Sequence, residues 1–395
     1  MTTEKRTLQD LQQFQAMPLN IKIRLTQSRI RAWVNEFGED GVYVSFSGGK
    51  DSTVLLHLVR EMYPNIPAVF CDTGLEYPEI REFVKGFDNV EWIKPKKNFR
   101  KVIEDYGYPF ISKEVSERVY YGQKHLTWWK AQNSLDRPTD RPTDYGIADL
   151  FGVRTHKKGN NKKVTIPDNV IEEFIKTGGR GSYKLKELYG KLKQADGTPS
   201  MFDSTRWKFL LLCPQMISNK CCDVMKKSPI CGYEKRTGRW GMTATMASES
   251  RLRTQQWLQH GCNAFDTKHP ISNPMSFWTE QDVLLYIHEN KIPIASVYGE
   301  VVKDEEVDGQ TDWGELGIFD IGLPTFKTTG CQRTGCMFCG FGCHLEKPGE
   351  GRFERMKRTH PKQYAYIMRP WNEGGLGFKD VIDWINENGD LNIRY

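Results

Sequence analysis

Ser47-Gly48-Gly49-Lys50-Asp51-Ser52 is the stretch of this 395-residue chain whose residue types and spacing could most directly do chemistry. Adjacent glycines let the backbone turn where a side chain would clash and let a ligand approach closely. Lys50 adds a mobile point charge, the hydroxyls of Ser47, Ser52 and Thr53 add donors, and Asp51 could steer a metal ion or a hydroxyl. The ligand that fits best is a phosphate. The apolar run Tyr43-Val44-Ser45-Phe46 precedes the turn and Thr53-Val54-Leu55-Leu56-His57-Leu58-Val59 follows it, which reads as strand, turn and helix. A helix start offers unpaired N–H groups and the positive end of its dipole to an anion.

A second chemistry lies in the ten cysteines. Cys221 and Cys222 are adjacent, and Cys331, Cys336, Cys339 and Cys343 crowd a later glycine-rich stretch in which Cys336 and Cys339 form a CxxC. A CxxC places two thiolates on one turn, and four sulfur ligands favour zinc or iron–sulfur over a hard cation. Ten cysteines without an export signal argue for metal or redox use rather than disulfides. Cys331, Cys336, Cys339 and Cys343 form a local ligand set by themselves, while Cys71, Cys213, Cys231 and Cys262 read as buried small residues.

The elements that must position these groups follow from apolar spacing. Residues 8–37 read as largely helical with a stop at Gly38, and Lys22, Arg24, Arg29 and Arg31 as its solvated face. Ile66–Cys71 and Val90–Ile93 read as strands and Phe99–Tyr106 as a helix. Strand, helix, strand makes a βαβ unit with ligands beyond the carboxyl edge of a parallel sheet, so Asp72, Thr73 and Gly74 fall beside the phosphate turn. The fold class expected is α/β, a doubly wound, mainly parallel sheet with helices on both faces. Further helices are expected around 168–177 and 183–194, and Thr279 with Asp282 should cap another.

Composition is that of a folded protein, 27% charged and 12% aromatic, with a net charge of +6. Residues 118–208 hold 18 Lys and Arg against 10 Asp and Glu. The tandem turn sequence 137–144 and the basic loop 156–163 lie there, and Tyr120, Tyr121, Trp128 and Trp129 stand near its start as core residues or base-stacking ones. This insertion could meet a nucleic acid or a protein partner; its plain alternative is a solvated surface. The division read from sequence is 1–119 and 207–298 as two parts of a nucleotide-binding domain, 120–206 as the basic insertion, and 299–395 as a Cys-rich region with C-terminal helices. No apolar stretch is long enough to span a bilayer and no apolar signal core follows Met1, so the expectation is a cytoplasmic protein without membrane contact, with an oligomer left open.

The Walker spacing of a phosphate loop is absent. Ser-Gly-Gly-Lys-Asp-Ser after a strand instead resembles the PP-loop of the ATP pyrophosphatases, the family that includes phosphoadenosine phosphosulfate (PAPS) reductases, ATP sulfurylase and tRNA and DNA sulfur-transfer enzymes. Asp72-Thr73-Gly74 with Glu76 and Pro78 resembles the second family motif. Ser112-Lys113, the arginine segment Arg251-Leu252-Arg253 and the Pro274, Trp278-Thr279, Asp282-Val283, Tyr286-Ile287 pattern resemble three more. The resemblance covers about residues 25–115 and 210–370. It implies an adenine nucleotide alpha-hydrolase-like fold and an adenine nucleotide held by Ser45, Ser47, Gly48, Gly49, Lys50, Asp51, Ser52, Asp72, Thr73, Gly74, Lys113, Arg251 and Arg253. Lys50 and Asp51 would be the catalytic pair, with Asp51 or Asp72 placing Mg²⁺. Adjacent cysteines with a later CxxC resemble the [4Fe-4S] ligands of sulfonucleotide reductases, which carries the ligand set to Cys221, Cys222, Cys336 and Cys339; zinc is the alternative metal.

Two departures from the reductases bear on function. Those enzymes generally lack the Lys-Asp of the loop and carry a nucleophilic cysteine in a C-terminal tail, whereas this chain has Lys50 and Asp51 and no cysteine after Cys343. Lys50 suits cleavage of ATP between its α- and β-phosphates, where charge builds on departing pyrophosphate. The leading expectation is an ATP-cleaving, adenylating enzyme that supports sulfur transfer with an iron–sulfur cluster, similar to the PP-loop protein of DNA phosphorothioation systems. A reductase of adenylyl sulfate or its 3′-phosphate using Cys331 or Cys343, and a nucleotide-binding regulator without turnover, are the alternatives.

Overall fold

The computed structural model describes residues 6–133, 171–172, 175–176, 178–304 and 324–395. Among them ten strands occur: β1 (Val42–Ser45), β2 (Ala68–Cys71), β3 (Val90–Ile93), β4 (Phe110–Ile111), β5 (Trp240–Met242), β6 (Asn263–Ala264), β7 (Ile271–Ser272), β8 (Val301–Lys303), β9 (Phe326–Thr328) and β10 (Gly340–Phe341). The chain divides into two compact units, Met1–Lys96 with Ser228–Cys336, and Lys97–Lys227 with Met337–Tyr395. The changeovers fall at 96/97, 227/228 and 336/337, whereas the sequence-based breaks lie at 119/120, 206/207 and 298/299.

The first unit is built on a six-stranded sheet of order β3-β2-β1-β5-β7-β6, parallel throughout except for the antiparallel edge strand β6. Val42, Tyr43 and Val44 in β1 are fully buried, as a central parallel strand covered on both faces requires. The helix Lys50–Met62 carries the crossover from β1 to β2 and buries Val54, Leu55, Leu56, Leu58 and Val59. Strand order reverses at β1, which lies between β2 and β5, so residues 46–50 leave the sheet at a topological switch point. The fold is thus α/β with a mainly parallel, doubly wound sheet.

Ahead of the sheet the expected single helix is two, Leu8–Gln15 and Leu19–Phe37, because Pro18 cannot continue the first; the second stops at Gly38, whose φ is +75°. Its polar face is not wholly solvated. Arg24, Arg29 and Arg31 are exposed, but Lys22 is buried and donates to both carboxylate oxygens of Asp282 at 2.8 and 2.7 Å. The periodicity could not show this, since the partner lies 260 residues away. Asp282 also completes the expected capping box with Thr279 at the start of the helix Glu280–Asn290.

In the second unit the helices Lys113–Asn133 and Gly179–Leu188 pack at glycines: a Cβ on Gly181 would lie 2.4 Å from the His125 Cβ, and one on Gly122 would lie 3.3 Å from Leu185 Cδ2. Arg118, buried on the first helix, pairs with buried Glu187 on the second at 3.0 Å. The helix expected at 183–194 runs instead over Gly179–Leu188, opened by Gly178 and closed before Gly190, both at positive φ. Phe378 gathers the rings of Phe99, Tyr108, Phe110 and Phe353 into the core of this unit. Most of 168–177, the tandem turn 137–144 and the basic loop 156–163 lie outside the described residues, as do the side chains of Trp128 and Trp129. Tyr120 is buried, and Tyr121 is flanked by the cations of Arg180 and Lys220.

Candidate functional site

Gly48 enters the phosphate turn with φ +70°, and a Cβ there would stand 2.7 Å from Val84 Cγ2 and 2.8 Å from Ile80 Cγ2, so both backbone conformation and space demand glycine. The turn is tied internally. The Ser47 N–H donates to Ser52 Oγ at 3.2 Å, the two hydroxyls lie 3.0 Å apart, and the Gly49 N–H donates to Ser47 Oγ at 3.3 Å. Ser52 and Thr53 spend their hydroxyl protons on the Gly49 carbonyl. Ser45 closes β1 immediately upstream, in register with Val69.

Lys50 opens the helix Lys50–Met62, and its side chain is only 3% exposed. Its ammonium donates to Glu280 Oε1 at 2.9 Å and to the Gln332 carbonyl at 3.0 Å, with Asp51 Oδ1 at 3.8 Å. Its backbone N–H donates to the Tyr298 hydroxyl at 3.3 Å, which in turn lies 2.9 Å from Thr334 Oγ1. Two oxygen acceptors therefore stand on the Lys50 ammonium and one on its backbone N–H, where phosphate oxygens would be expected. Burial holds the Asp51 carboxyl above the usual carboxylate range, an effect that Lys50 opposes and Glu280 reinforces, and Asp51 Oδ1 has no hydrogen-bond partner.

Two guanidinium groups extend the charge array. Arg253 pairs with Glu249 and lies within electrostatic reach of Asp51, while Arg333 stands 3.9 Å from Glu249 and 3.8 Å from Glu280. Arg251, two residues earlier on the helix Arg251–His260, is exposed. In the second motif Asp72 accepts from Arg81 at 2.9 Å and from the Gly74 N–H at 3.3 Å, and Lys94 stands 4.0 Å away. The Thr73 hydroxyl donates to Glu76 at 2.6 Å, and Gly74 takes the positive φ of the turn. Sequence reasoning missed Glu280, Tyr298, Gln332, Arg333 and Thr334. They lie roughly 230–284 positions from the loop, and only the adjacency of Glu280 to the capping residue Thr279 marked any of them.

Lys113 and three of the four cysteines carried over as cluster ligands belong to the second unit, and Cys336 closes the first. Cys221 hydrogen-bonds the Cys222 thiol and holds it well below the ordinary thiol range, with Lys113, Lys226 and Lys227 adding to the effect. Cys339 feels both Cys222 and Lys113, but burial pushes its thiol up. Cys331 and Cys343 are buried and donate their S–H groups to the carbonyls of Arg333 and Gly340, each at 2.8 Å; burial lifts Cys343 to about 12. A hydrogen-bonded thiol pair beside a lysine fits a thiolate-ligated metal group in donor chemistry. Among the described residues, no three His, Cys, Asp or Glu side chains already meet as a metal-holding group. Lys113 itself follows Ile111, a β-branched residue held at φ +69° where β4 pairs with β10, a conformation that costs about 1–3 kcal/mol.

Residues 41–111, which span the turn and the second motif, match the family model described as the phosphoadenosine phosphosulfate reductase domain. Over 72 residues the chain is 35% identical to an uncharacterized protein of Methanocaldococcus jannaschii, a match covering 17% of this chain and 18% of that protein. Over 66 residues it is 36% identical to the phosphoadenosine 5′-phosphosulfate reductase of Xylella fastidiosa, covering 16% of this chain and 28% of that enzyme. The chain thus spans less than a third of the length of either relative. A crystal structure of phosphoadenylyl-sulfate (PAPS) reductase from Candida auris, in a phosphate complex, aligns over 74% of this chain and 90% of its own at 14% identity, with a TM-score of 0.31. No described helix is long and apolar enough to cross a membrane.

Proposed function

We propose that this chain, whose residues 41–111 match the phosphoadenosine phosphosulfate reductase domain, is a PP-loop enzyme that binds ATP and cleaves it between the α- and β-phosphates to adenylate an acceptor in sulfur metabolism. The observation that carries this reading is the buried Lys50 ammonium at the head of the loop helix, hydrogen-bonded to the oxygens of Glu280 and Gln332. In the first half-reaction an acceptor oxygen attacks the α-phosphorus, the bond to the bridging oxygen breaks, and pyrophosphate leaves with the electron pair. Lys50 neutralises the charge that grows on the departing group, and the turn's backbone N–H groups orient it. Bound Mg²⁺ would add charge neutralisation, and Asp51 Oδ1, which accepts no hydrogen bond, is the oxygen best suited to hold it. Asp72 is less suited, because Arg81 already occupies its carboxylate.

Cys221, Cys222, Cys336 and Cys339 would hold a [4Fe-4S] cluster, which when bound supplies sulfur-ligating or one-electron chemistry. The hydrogen-bonded Cys221–Cys222 pair supports this set over the local one, since the buried Cys331 and Cys343 already spend their S–H groups on backbone carbonyls. The same two thiols bear on the second reading, a sulfonucleotide reductase, which the family domain itself favours. A reducing thiolate at Cys331 or Cys343 would first have to leave its backbone carbonyl.

Lys50→Ala should lower ATP-dependent pyrophosphate release by about a hundredfold or more, while any iron and sulfide content is unchanged. Undiminished release would remove Lys50 from the chemistry. Sulfite production from adenylyl sulfate or its 3′-phosphate with a thiol donor, in the absence of pyrophosphate release from ATP, would decide for the reductase.

A further inference from the structure

The Lys50 side chain is paired before any ligand arrives. An ammonium only 3% exposed cannot be left without a counter-charge, and the fold supplies one in Glu280, the first residue of the helix Glu280–Asn290, at 2.9 Å. The ammonium also donates to the Gln332 carbonyl at 3.0 Å, and the Tyr298 hydroxyl accepts from the Lys50 backbone N–H. A carboxylate oxygen offers a lysine the same acceptor as a phosphate oxygen. Glu280 has a second cation within reach, since Arg333 Nη2 lies 3.8 Å from its other oxygen.

We infer that Glu280 is a displaceable phosphate surrogate, a positioning residue that holds Lys50 in the ligand-free loop and passes to Arg333 when a polyphosphate takes Lys50. The inference rests on the phosphate-loop reading above and assigns that site its internal competitor. The exchange keeps every charge partnered: Lys50 moves from carboxylate to phosphate, and Glu280 moves from Lys50 to Arg333. Arg333 is 60% exposed and held only at long range, so it can close on Glu280 without disturbing packing. Affinity for the ligand is then set by the difference between two ion pairs rather than by the Lys50–phosphate pair alone.

The test is calorimetric titration of the full chain with pyrophosphate in the presence of Mg²⁺. Glu280→Gln should tighten binding about tenfold, and Glu280→Asp, which keeps the charge but shortens its reach, by less. Melting curves of both variants report whether the helix start survives. Arg333→Gln should weaken binding about threefold in the native background and have no effect when combined with Glu280→Gln, because the acceptor of the exchange is then gone. An Arg333 that simply contacts phosphate would weaken binding equally in both backgrounds, and that additivity would overturn the exchange. Lys50-dependent binding that Glu280→Gln leaves unchanged or weakens overturns the surrogate role while sparing the phosphate loop. Binding that is indifferent to Lys50→Ala in the native and Glu280→Gln backgrounds removes both.

Discussion

The phosphate turn of the first unit and the thiol group of the second reach their chemistry by opposite means. Around Lys50 oxygens accept from the ammonium and from the backbone N–H, and each of the cations Lys50, Arg253 and Arg333 has a carboxylate nearby, so the site is electrically balanced. Around Cys222 the thiol is drawn toward its ionised form by one neighbouring thiol and three lysines, with no carboxylate among those causes. A balanced site holds its geometry and waits for a ligand to exchange partners; an unbalanced one holds reactivity or metal-binding potential in a single atom. The first depends on scaffold far from the loop, the second on its immediate neighbours.

The largest effect should come from breaking that scaffold. Asp282 caps the helix that presents Glu280 and is the partner of buried Lys22. Asp282→Ala should destabilise the protein by about 3–5 kcal/mol, since it strands a buried ammonium and removes a cap together. Asp282→Asn, which keeps a capping oxygen, should cost less. Denaturant unfolding of the two variants measures the difference, and equal losses would show that the charge on Asp282 carries the whole effect and its capping oxygen none.

A smaller loss is expected within the turn. Gly48→Ala forces a side chain into left-handed backbone and against Val84 and Ile80, for about 2–4 kcal/mol. Gly74, at φ +74° but with open space around its missing Cβ, should cost only about 1 kcal/mol on the same substitution. Thermal unfolding of the pair separates conformational strain from crowding; equal shifts would mean that crowding at Gly48 is relieved by movement of the helix Pro78–Lys85.

This contrast also marks what sequence could reveal. The strand, turn and helix around Lys50, the strand Val90–Ile93, the helix Phe99–Tyr106 and the Thr279 capping box all follow from local spacing and turn chemistry, and the structure has each. The break at Pro18 is local too, since proline cannot continue the helix Leu8–Gln15, whereas apolar spacing alone runs through it. Pairings across hundreds of residues left no local trace: Lys22 reads as one more surface lysine until Asp282 is beside it, and Glu280, Tyr298 and Gln332 read as a helix start, a core aromatic and a loop residue. The motif named Lys50 as a phosphate ligand; only the fold shows what holds Lys50 meanwhile.

The thiol group offers the smallest and most local test. If neighbours alone tune Cys222, its alkylation by iodoacetamide in reduced, chelator-treated protein should rise with pH through about 6 as the thiolate forms, where an ordinary cysteine would rise through roughly 8.5. Cys221→Ala removes the largest cause and should move that midpoint upward, toward the ordinary value. Lys113→Ala, removing one of three more distant charges, should move it less in the same direction. Peptide mass spectrometry across a pH series reads all three midpoints. A midpoint that stays low without Cys221 would assign the shift to the lysines instead, and the second site would then resemble the first in drawing on a charge array rather than on one adjacent atom.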